Sequence, residues 1–129
     1  MLTQSTVRKI ALSLPGVVEK PGHFAFEIPV GDKLRGICWV WMERVHPKKP
    51  RVPNPEVLAV RVAGLDAKEM LLMAEPHKFF TEPHYAGFPA VLVRLAEIGA
   101  AELRRLLVAA QAAYDAKPKK PRITRGTKR

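Results

Sequence analysis

The chain has 129 residues, 47% of them hydrophobic, which fits one domain with an ordinary core. It carries a formal net charge of +10 and a single cysteine, Cys38, so an intramolecular disulfide is excluded. No apolar run approaches the roughly 20 residues that cross a bilayer, and residues 1–14 lack the apolar stretch of a signal peptide. We therefore expect a cytoplasmic protein that makes no membrane contact.

The first predicted element is a helix over residues 3–14. Its apolar side chains recur at helical spacing, so that Val7, Ile10, Ala11 and Leu14 share one face. A proline and a glycine follow directly, and we expect the helix to end there.

A hairpin and a third strand are predicted next. Apolar alternation over residues 24–28 and 34–43 indicates two strands, and a Gly-Asp pair between them suits a tight turn. Residues 44–55 contain four prolines, which cannot continue a ladder or a helix, so we expect an exposed loop there. Residues 56–62, rich in valine, then form the third strand.

A second helix is predicted to end before Pro76. Asp66 is its expected N-cap, and Glu69 completes a capping box three residues later. Two further strands follow, a short one over residues 79–82 and a longer one over residues 90–95.

The last predicted helix begins near residues 99–100 and packs on the sheet. Its apolar stripe consists of Leu103, Leu106, Leu107, Ala110 and Tyr114. The periodicity stops after Ala116, and residues 117–129 have seven basic and no acidic side chains, so we expect this tail to be disordered when free. Residues 1–116 form the predicted domain, which has 15 basic against 12 acidic residues.

The predicted order of elements is helix, three strands, helix, two strands, helix (α-β-β-β-α-β-β-α). Short antiparallel connections favour a two-layer α+β domain, with one antiparallel sheet and the helices against one of its faces. We expect this domain to be a monomer.

Two stretches of the chain resemble a known family. Residues 11–19, ALSLPGVVE, followed by FAF at residues 24–26, resemble the opening of the MmcQ/YjbR family. Residues 84–95, HYAGFPAVLVRL, resemble its later signature, and the terminal helix with ELRRLL at residues 102–107 fits as well. The resemblance extends over residues 3–117.

This resemblance implies a two-layer α+β fold with the same order of elements, of a kind also compared with secretion chaperones and CyaY-like proteins. It further implies a bacterial "double-wing" protein that binds DNA through hairpin wings beside a basic surface. The loop over residues 44–55 is longer and richer in proline than the turn usual in that family.

Basic side chains are the candidate contacts to nucleic acid. The loop supplies Arg44, Lys48, Lys49 and Arg51, and the tail supplies Lys117, Lys119, Lys120, Arg122, Arg125, Lys128 and Arg129. Lysine and arginine contact phosphate oxygens regardless of base sequence, and binding of that kind falls steeply with salt. We therefore predict a non-enzymatic domain that binds DNA weakly and without sequence preference, while the choice between DNA and RNA stays open.

Two pairs of side chains have more than one interpretation. Trp39 and Trp41 lie two residues apart on a predicted strand and so share a face. They could stack on bases if that face is open, but core packing under a helix is favoured. His84 and Tyr85 lie in the signature turn, where hydrogen bonding that fixes the turn is favoured over a ligand or catalytic role.

The sequence shows no catalytic or metal-binding constellation. Its four histidines lack metal-ligand spacing, it has no glycine-rich phosphate loop or nucleophile elbow, and Cys38 lies in an apolar run. We therefore expect no enzyme, no metal and no cofactor. Two alternatives to DNA or another polyanion as partner stay open: a protein-interaction or chaperone-like module, and a small-ligand protein with a pocket near His84 and Tyr85.

Overall fold

The computed structural model describes residues 1–115, in which three helices pack with a six-stranded sheet. The helices are α1 (Gln4–Leu12), α2 (Leu65–Ala74) and α3 (Ala100–Asp115). The strands are β1 (Val18–Glu19), β2 (Ala25–Val30), β3 (Lys33–Glu43), β4 (Val52–Arg61), β5 (Phe79–Phe80) and β6 (Ala90–Arg94), and short 3₁₀ turns span Pro83–Tyr85 and Leu95–Glu97. The predicted α+β class and order of elements are confirmed, with β1 as an added two-residue strand. The predicted basic tail, residues 117–129, lies outside the described residues.

All six strands belong to one antiparallel sheet in the order β1-β2-β3-β4-β6-β5. The β2–β3 hairpin closes on the pair Val30 and Lys33, so the predicted Gly-Asp pair forms a two-residue turn. Gly31 has a φ of +65°, a left-handed conformation that glycine adopts without steric cost.

The main core lies between the sheet and the helices. Alternation along β4 brings Leu58 and Val60 to one face, where they join Val7 and Ala11 of α1 and Leu103 of α3. All five side chains are almost completely buried, and burial of this apolar surface is the main term that stabilises the fold.

The opposite face of the sheet carries a second and smaller cluster, to which α1, α2 and α3 contribute no residue. We call it the helix-free face. Its buried members are Trp41, Val57, Ala59 and Leu92, and Trp39, Phe80 and Tyr85 pack against them. Half-buried aromatic side chains are therefore concentrated on the side of the sheet away from the helices.

The predicted loop over residues 44–55 is shorter in the structure, because β4 begins at Val52. Pro53 pairs with Met42 and so lies inside the strand, contrary to the prediction. Strand β6 pairs with β4 only from Val57 onward, so the first half of β4 is a free edge on that side. Proline is tolerated at such an edge, because the N–H that it lacks would have no partner. The loop proper spans residues 44–51.

Helix α2 also begins differently from the prediction. Its N-cap is Gly64, whose carbonyl oxygen accepts the first helical hydrogen bond from the backbone N–H of Lys68 at 3.0 Å. The helix therefore starts before Asp66, which lies in the first turn, and the capping box predicted with Glu69 does not form. A carboxylate in the first turn still favours the helix through its dipole.

The predicted apolar stripe on α3 is confirmed, and its residues differ in how deeply they are buried. Leu103, Leu107 and Ala110 are fully buried, whereas Leu106 and Tyr114 are half-buried. The Tyr114 hydroxyl donates a hydrogen bond to the carbonyl oxygen of Gly36 at 2.8 Å, and this contact joins the end of α3 to β3.

Candidate nucleic-acid interface

The loop between β3 and β4 is held in shape by two of its own arginines. The Nη1 atom of Arg44 donates to the carbonyl oxygens of Lys49 at 2.8 Å and Pro47 at 3.5 Å. The Nη1 atom of Arg51 donates to the carbonyl oxygen of Met42 at 3.0 Å. Because a guanidinium group has five N–H donors, both arginines keep further donors for a ligand.

The two loop lysines have a different environment. Lys48 and Lys49 are both exposed, and neither side chain takes part in an ion pair within residues 1–115. The backbone N–H of Lys48 donates to Nδ1 of His46 at 3.2 Å, which adds to the order of the loop. The structure therefore brings all four predicted loop cations together on one short segment. The seven predicted tail cations lie outside the described residues.

A small cleft on the helix-free face is lined entirely by aromatic side chains. It has a volume of about 280 Å³, and its lining residues are Trp39, His84, Tyr85 and Phe88. Trp39 Nε1 donates a hydrogen bond to the Tyr85 hydroxyl at 3.0 Å, and the Phe88 ring lies 6.3 Å from the Trp39 ring and 6.0 Å from the Tyr85 ring. We call this concavity the aromatic cleft.

A wider cleft of about 640 Å³ lies between the basic loop and the 3₁₀ turn Pro83–Tyr85. Its lining includes Trp41, Arg44, Arg51 and Glu82, together with His84, which it shares with the aromatic cleft. We call it the loop cleft. Nε1 of Trp41 and Oε2 of Glu82 are buried and have no hydrogen-bond partner within the described part of the chain. Buried polar atoms are paired in most structures, with protein groups, with water or with a ligand, so each of these two atoms has capacity for one more hydrogen bond.

A third concavity adjoins Trp39 at the start of β2. It has a volume of about 250 Å³ and is lined by Lys20, His23, Phe24 and Met42 as well as by Trp39 itself. His84 lines both the loop cleft and the aromatic cleft, and Trp39 lines both the aromatic cleft and the third concavity, so the three are neighbours in series. Phe24 of the third concavity packs against the core on the helix side, so only the first two lie on the helix-free face. We call this series the groove.

Lys68 of α2 fixes the segment that forms one wall of the aromatic cleft. Its Nζ atom donates to the carbonyl oxygens of Tyr85 at 2.6 Å and Phe88 at 3.0 Å. Only 5% of the residue is exposed, and this desolvation lowers the pKa of its ammonium group. The lysine therefore positions the segment by its hydrogen bonds and is not available to an external anion.

Some sequence-based expectations about this surface need correction. Trp39 and Trp41 share a face as predicted, and Trp41 is buried in a hydrophobic cluster, so core packing is confirmed for Trp41. That face carries no helix, however, and Trp39 is only half-buried, so the expected packing under a helix was wrong. Tyr85 fixes the signature turn, because its hydroxyl accepts a hydrogen bond from Nε1 of Trp39, whereas His84 is exposed. Sequence reasoning missed Lys68, whereas the aromatic cleft lies where the alternative of a pocket near His84 and Tyr85 had placed one.

The structure also describes the environment of the single cysteine and bears on metal sites and membrane-spanning helices. Cys38 is buried on β3, and burial raises the pKa of its thiol well above the usual range, so the thiol stays protonated. Residues 1–115 contain no group of three or more His, Cys, Asp or Glu side chains that could hold a metal ion. Within the same range no helix has the length and apolar character needed to cross a membrane.

Comparison with known proteins gives relatives and a fold neighbour. No family model matches the chain. It is 36% identical over 119 residues to the uncharacterised protein Rv2570 of Mycobacterium tuberculosis and to the uncharacterised protein Mb2600 of Mycobacterium bovis, over 85% of this chain and 86% of each relative. Its fold is similar to the crystal structure of Deinococcus radiodurans protein DR2400, a DUF419 domain, with a TM-score of 0.63 and 21% identity over 91% of this chain and 81% of that one. The chain therefore belongs to the same family as the uncharacterised mycobacterial proteins Rv2570 and Mb2600.

Proposed function

We propose that this chain is a cytoplasmic, non-enzymatic domain of the MmcQ/YjbR type that binds DNA weakly and without sequence preference. The contacts are made by the β3–β4 loop and by the basic residues of segment 117–129. One observation carries the proposal: Lys48 and Lys49 are exposed on a loop whose backbone is already held by Arg44 and Arg51.

The order of the loop backbone in the free protein favours DNA affinity, because binding normally includes an entropic cost for fixing flexible side chains and loops. In this loop the arginine hydrogen bonds and two prolines limit the conformations open to the backbone before any ligand arrives. The lysines then interact with phosphate oxygens as point charges, and such contacts carry no sequence information.

The MmcQ/YjbR assignment is supported by the two sequence stretches and by the fold. The later stretch, residues 84–95, includes both the wall of the aromatic cleft and strand β6, so the resemblance covers residues with a defined place in the structure. The non-enzymatic part is supported by the burial of Cys38, which removes the single thiol as a nucleophile.

The test is a salt titration of DNA affinity by fluorescence anisotropy, with a labelled short duplex and the full chain. We expect binding at about 50 mM salt that weakens strongly by about 200 mM. Lys48→Ala and Lys49→Ala should each reduce the slope of log affinity against log salt by about one, to the same extent for duplexes of different sequence.

Lys33→Ala is the matched control, because Lys33 is also exposed and lies at the other end of β3. It should leave the slope unchanged. Substitution of Arg44 or Arg51 is less informative, since either change also removes hydrogen bonds that shape the loop. Absence of duplex binding by the unmodified chain at about 50 mM salt would exclude the proposal.

A protein-interaction module is a second candidate, favoured by the surface of α2. Met70 and Met73 are 71% and 74% exposed, which is unusual for two large apolar side chains on one helix. A separate apolar concavity of about 310 Å³ lies between α2 and α3, and its lining includes Met70, Leu71 and Leu106. Chemical cross-linking in cells separates the candidates: a protein partner lost in Met70→Gln/Met73→Gln but kept in Lys48→Ala would support the second.

A further inference from the structure

We propose that the groove binds single-stranded nucleic acid, with an unpaired base in the aromatic cleft. This inference rests on the proposed function and adds a second mode of contact to it. The loop lysines contact phosphates of any polyanion, whereas the groove selects strands whose bases are free.

The aromatic cleft has the chemistry of a base-stacking site. All its lining side chains are aromatic, and Phe88 is 43% exposed although it is large and apolar. Stacking on such side chains stabilises single-stranded binding independently of sequence, because every base has a π-face. Its volume of about 280 Å³, near the lower end of the range for ligand pockets, is large enough for one planar base.

The course of the groove matches a strand that continues on both sides of that base. At one end the loop cleft is bordered by Arg44 and Arg51, and at the other end Lys20 and His23 line the third concavity. Basic side chains therefore lie on either side of the aromatic cleft, although Glu43 and Glu82 also line the loop cleft and balance the charge of its two arginines. Basic side chains beside an aromatic stacking platform are the general arrangement of sequence-tolerant single-strand binding.

The unpaired atoms of the loop cleft give it hydrogen-bonding capacity. Trp41 Nε1 is a donor and Glu82 Oε2 is an acceptor, and both are buried without a partner among the described residues. Glu82 repels phosphate, so we assign this position to the edge of a base, which offers both donors and acceptors. In a duplex those edges and the base faces are occupied by pairing and stacking, and a concave site of this size cannot reach them.

The inference is tested with the full chain and three labelled ligands of equal length: a thymidine oligonucleotide, an abasic oligonucleotide with the same backbone, and a duplex. We expect the thymidine oligonucleotide to bind more tightly than the abasic one. Phe88→Ala should weaken thymidine binding about fivefold to a hundredfold, the equivalent of one lost stacking contact, and should leave abasic and duplex binding unchanged.

Two further variants show whether a loss of affinity comes from the aromatic cleft and not from a general effect of truncating an exposed side chain. Val108→Ala truncates a similarly exposed apolar side chain on α3, which packs on the opposite face of the sheet, and should leave all three affinities unchanged. Trp39→Phe keeps an aromatic ring in the cleft and should retain most of the thymidine affinity. Quenching of tryptophan fluorescence by the thymidine oligonucleotide should become smaller in that variant, because Trp39 lies in the aromatic cleft.

The outcomes distinguish this inference from the proposed function. Equal binding of thymidine and abasic strands, or equal weakening of all ligands by Phe88→Ala, overturns the single-strand inference while duplex binding through the loop still stands. Failure of every ligand to bind overturns both. Quenching by a proline-rich peptide but not by the thymidine oligonucleotide would assign the cleft to a protein and would overturn the inference as well.

Discussion

The Nζ atom of Lys68 on α2 lies 2.6 Å from the carbonyl oxygen of Tyr85, and it donates a second hydrogen bond to the carbonyl oxygen of Phe88. Helix α2, which packs on the helix side of the sheet, thereby holds the segment that forms one wall of the aromatic cleft on the helix-free face. The ammonium group is desolvated, which lowers its pKa, and the two carbonyl groups compensate for the water that it loses.

Replacement of Lys68 by methionine should therefore destabilise the protein although the new side chain is apolar and of similar length. We expect a loss of about 1.5–3 kcal/mol in the free energy of unfolding, because hydrogen bonds from a charged group are removed and two carbonyl groups lose their partner. Urea unfolding measures the loss. Lys9→Met, at an exposed position of α1, is the control and should change the value by less than about 0.5 kcal/mol. A Lys68→Met variant as stable as the unmodified chain would show that these hydrogen bonds contribute nothing net.

An ion-pair network beside α2 predicts a specific pH dependence. Lys78 lies 2.8 Å from a carboxylate oxygen of Glu75 and 2.7 Å from one of Glu102, and its hydrogen bond holds the pKa of Glu75 below the ordinary value of 4.5. A carboxyl group whose pKa is lowered by folding contributes stability above its unfolded pKa, and this contribution is lost as the pH falls through the folded value.

Glu75→Gln should accordingly lower the melting temperature at neutral pH, and its difference from the unmodified chain should vanish in acid. Melting curves recorded from about pH 7 down to about pH 2 provide the measurement. Glu69→Gln on α2, the helix that Glu75 caps at its C-terminus, is the matched control, because Glu69 is exposed and takes part in no ion pair within residues 1–115. A difference for Glu75→Gln that stays constant with pH would show that its ionisation is not coupled to folding.

The sequence predicts the fold well where local periodicity dominates and less well elsewhere. The stripes of α1 and α3 and the β2–β3 hairpin follow from spacing and turn chemistry within a few residues. The early start of β4 at Val52 does not, because proline is acceptable only when β6 stops short of pairing with that half of the strand. That condition depends on a strand about 40 residues away in the chain, which no local pattern reveals.

The candidate site was predictable only in part. Charge alone identified the basic loop, because lysines and arginines are visible in the sequence whatever the fold. The role of Lys68 was not visible, since its two acceptors are backbone carbonyl groups 17 and 20 residues away. The openness of the face that carries Trp39 depended on which side of the sheet the helices cover, and alternation within one strand does not specify that choice.

The core of α3 allows a graded prediction. Leu107 is fully buried and Leu106 is half-buried at the margin of the stripe. We expect Leu107→Ala to cost about 2–5 kcal/mol in the free energy of unfolding and Leu106→Ala clearly less, because a cavity costs more where its surroundings cannot relax into solvent. Val108→Ala, at a position that is 46% exposed, should stay within about 0.5 kcal/mol. Equal losses for Leu106 and Leu107 would mean that the helix face is rotated.

Cys38 should be unreactive in the native protein. Its side chain is fully buried, and burial raises the pKa of the thiol, so neither access nor thiolate is available to an alkylating reagent. Labelling followed by mass spectrometry should show modification only as fast as the domain unfolds, and complete modification in denaturant. Rapid labelling under native conditions, with the melting temperature unchanged, would contradict the buried position.

Removal of segment 117–129 separates stability from function. This segment has a single large apolar residue, Ile123, so it has little apolar surface to bury, and a chain ending at Ala116 should melt within about 4 °C of the full chain. Duplex DNA affinity should fall by contrast, and the salt slope should decrease by up to about 0.9 for each of the seven cations that contacts a phosphate.

A full-length variant in which those seven cations are replaced by glutamine is the matched control, since it keeps the length of the segment and removes only its charge. If electrostatics accounts for the effect, this variant and the truncated chain should bind DNA equally. A larger fall in melting temperature for the truncated chain than for the glutamine variant would show that the segment packs on the domain through its uncharged atoms. The remaining salt slope of the truncated chain then measures the folded part alone, and it should decrease further in Lys48→Ala and Lys49→Ala, because the loop contacts are independent of the segment.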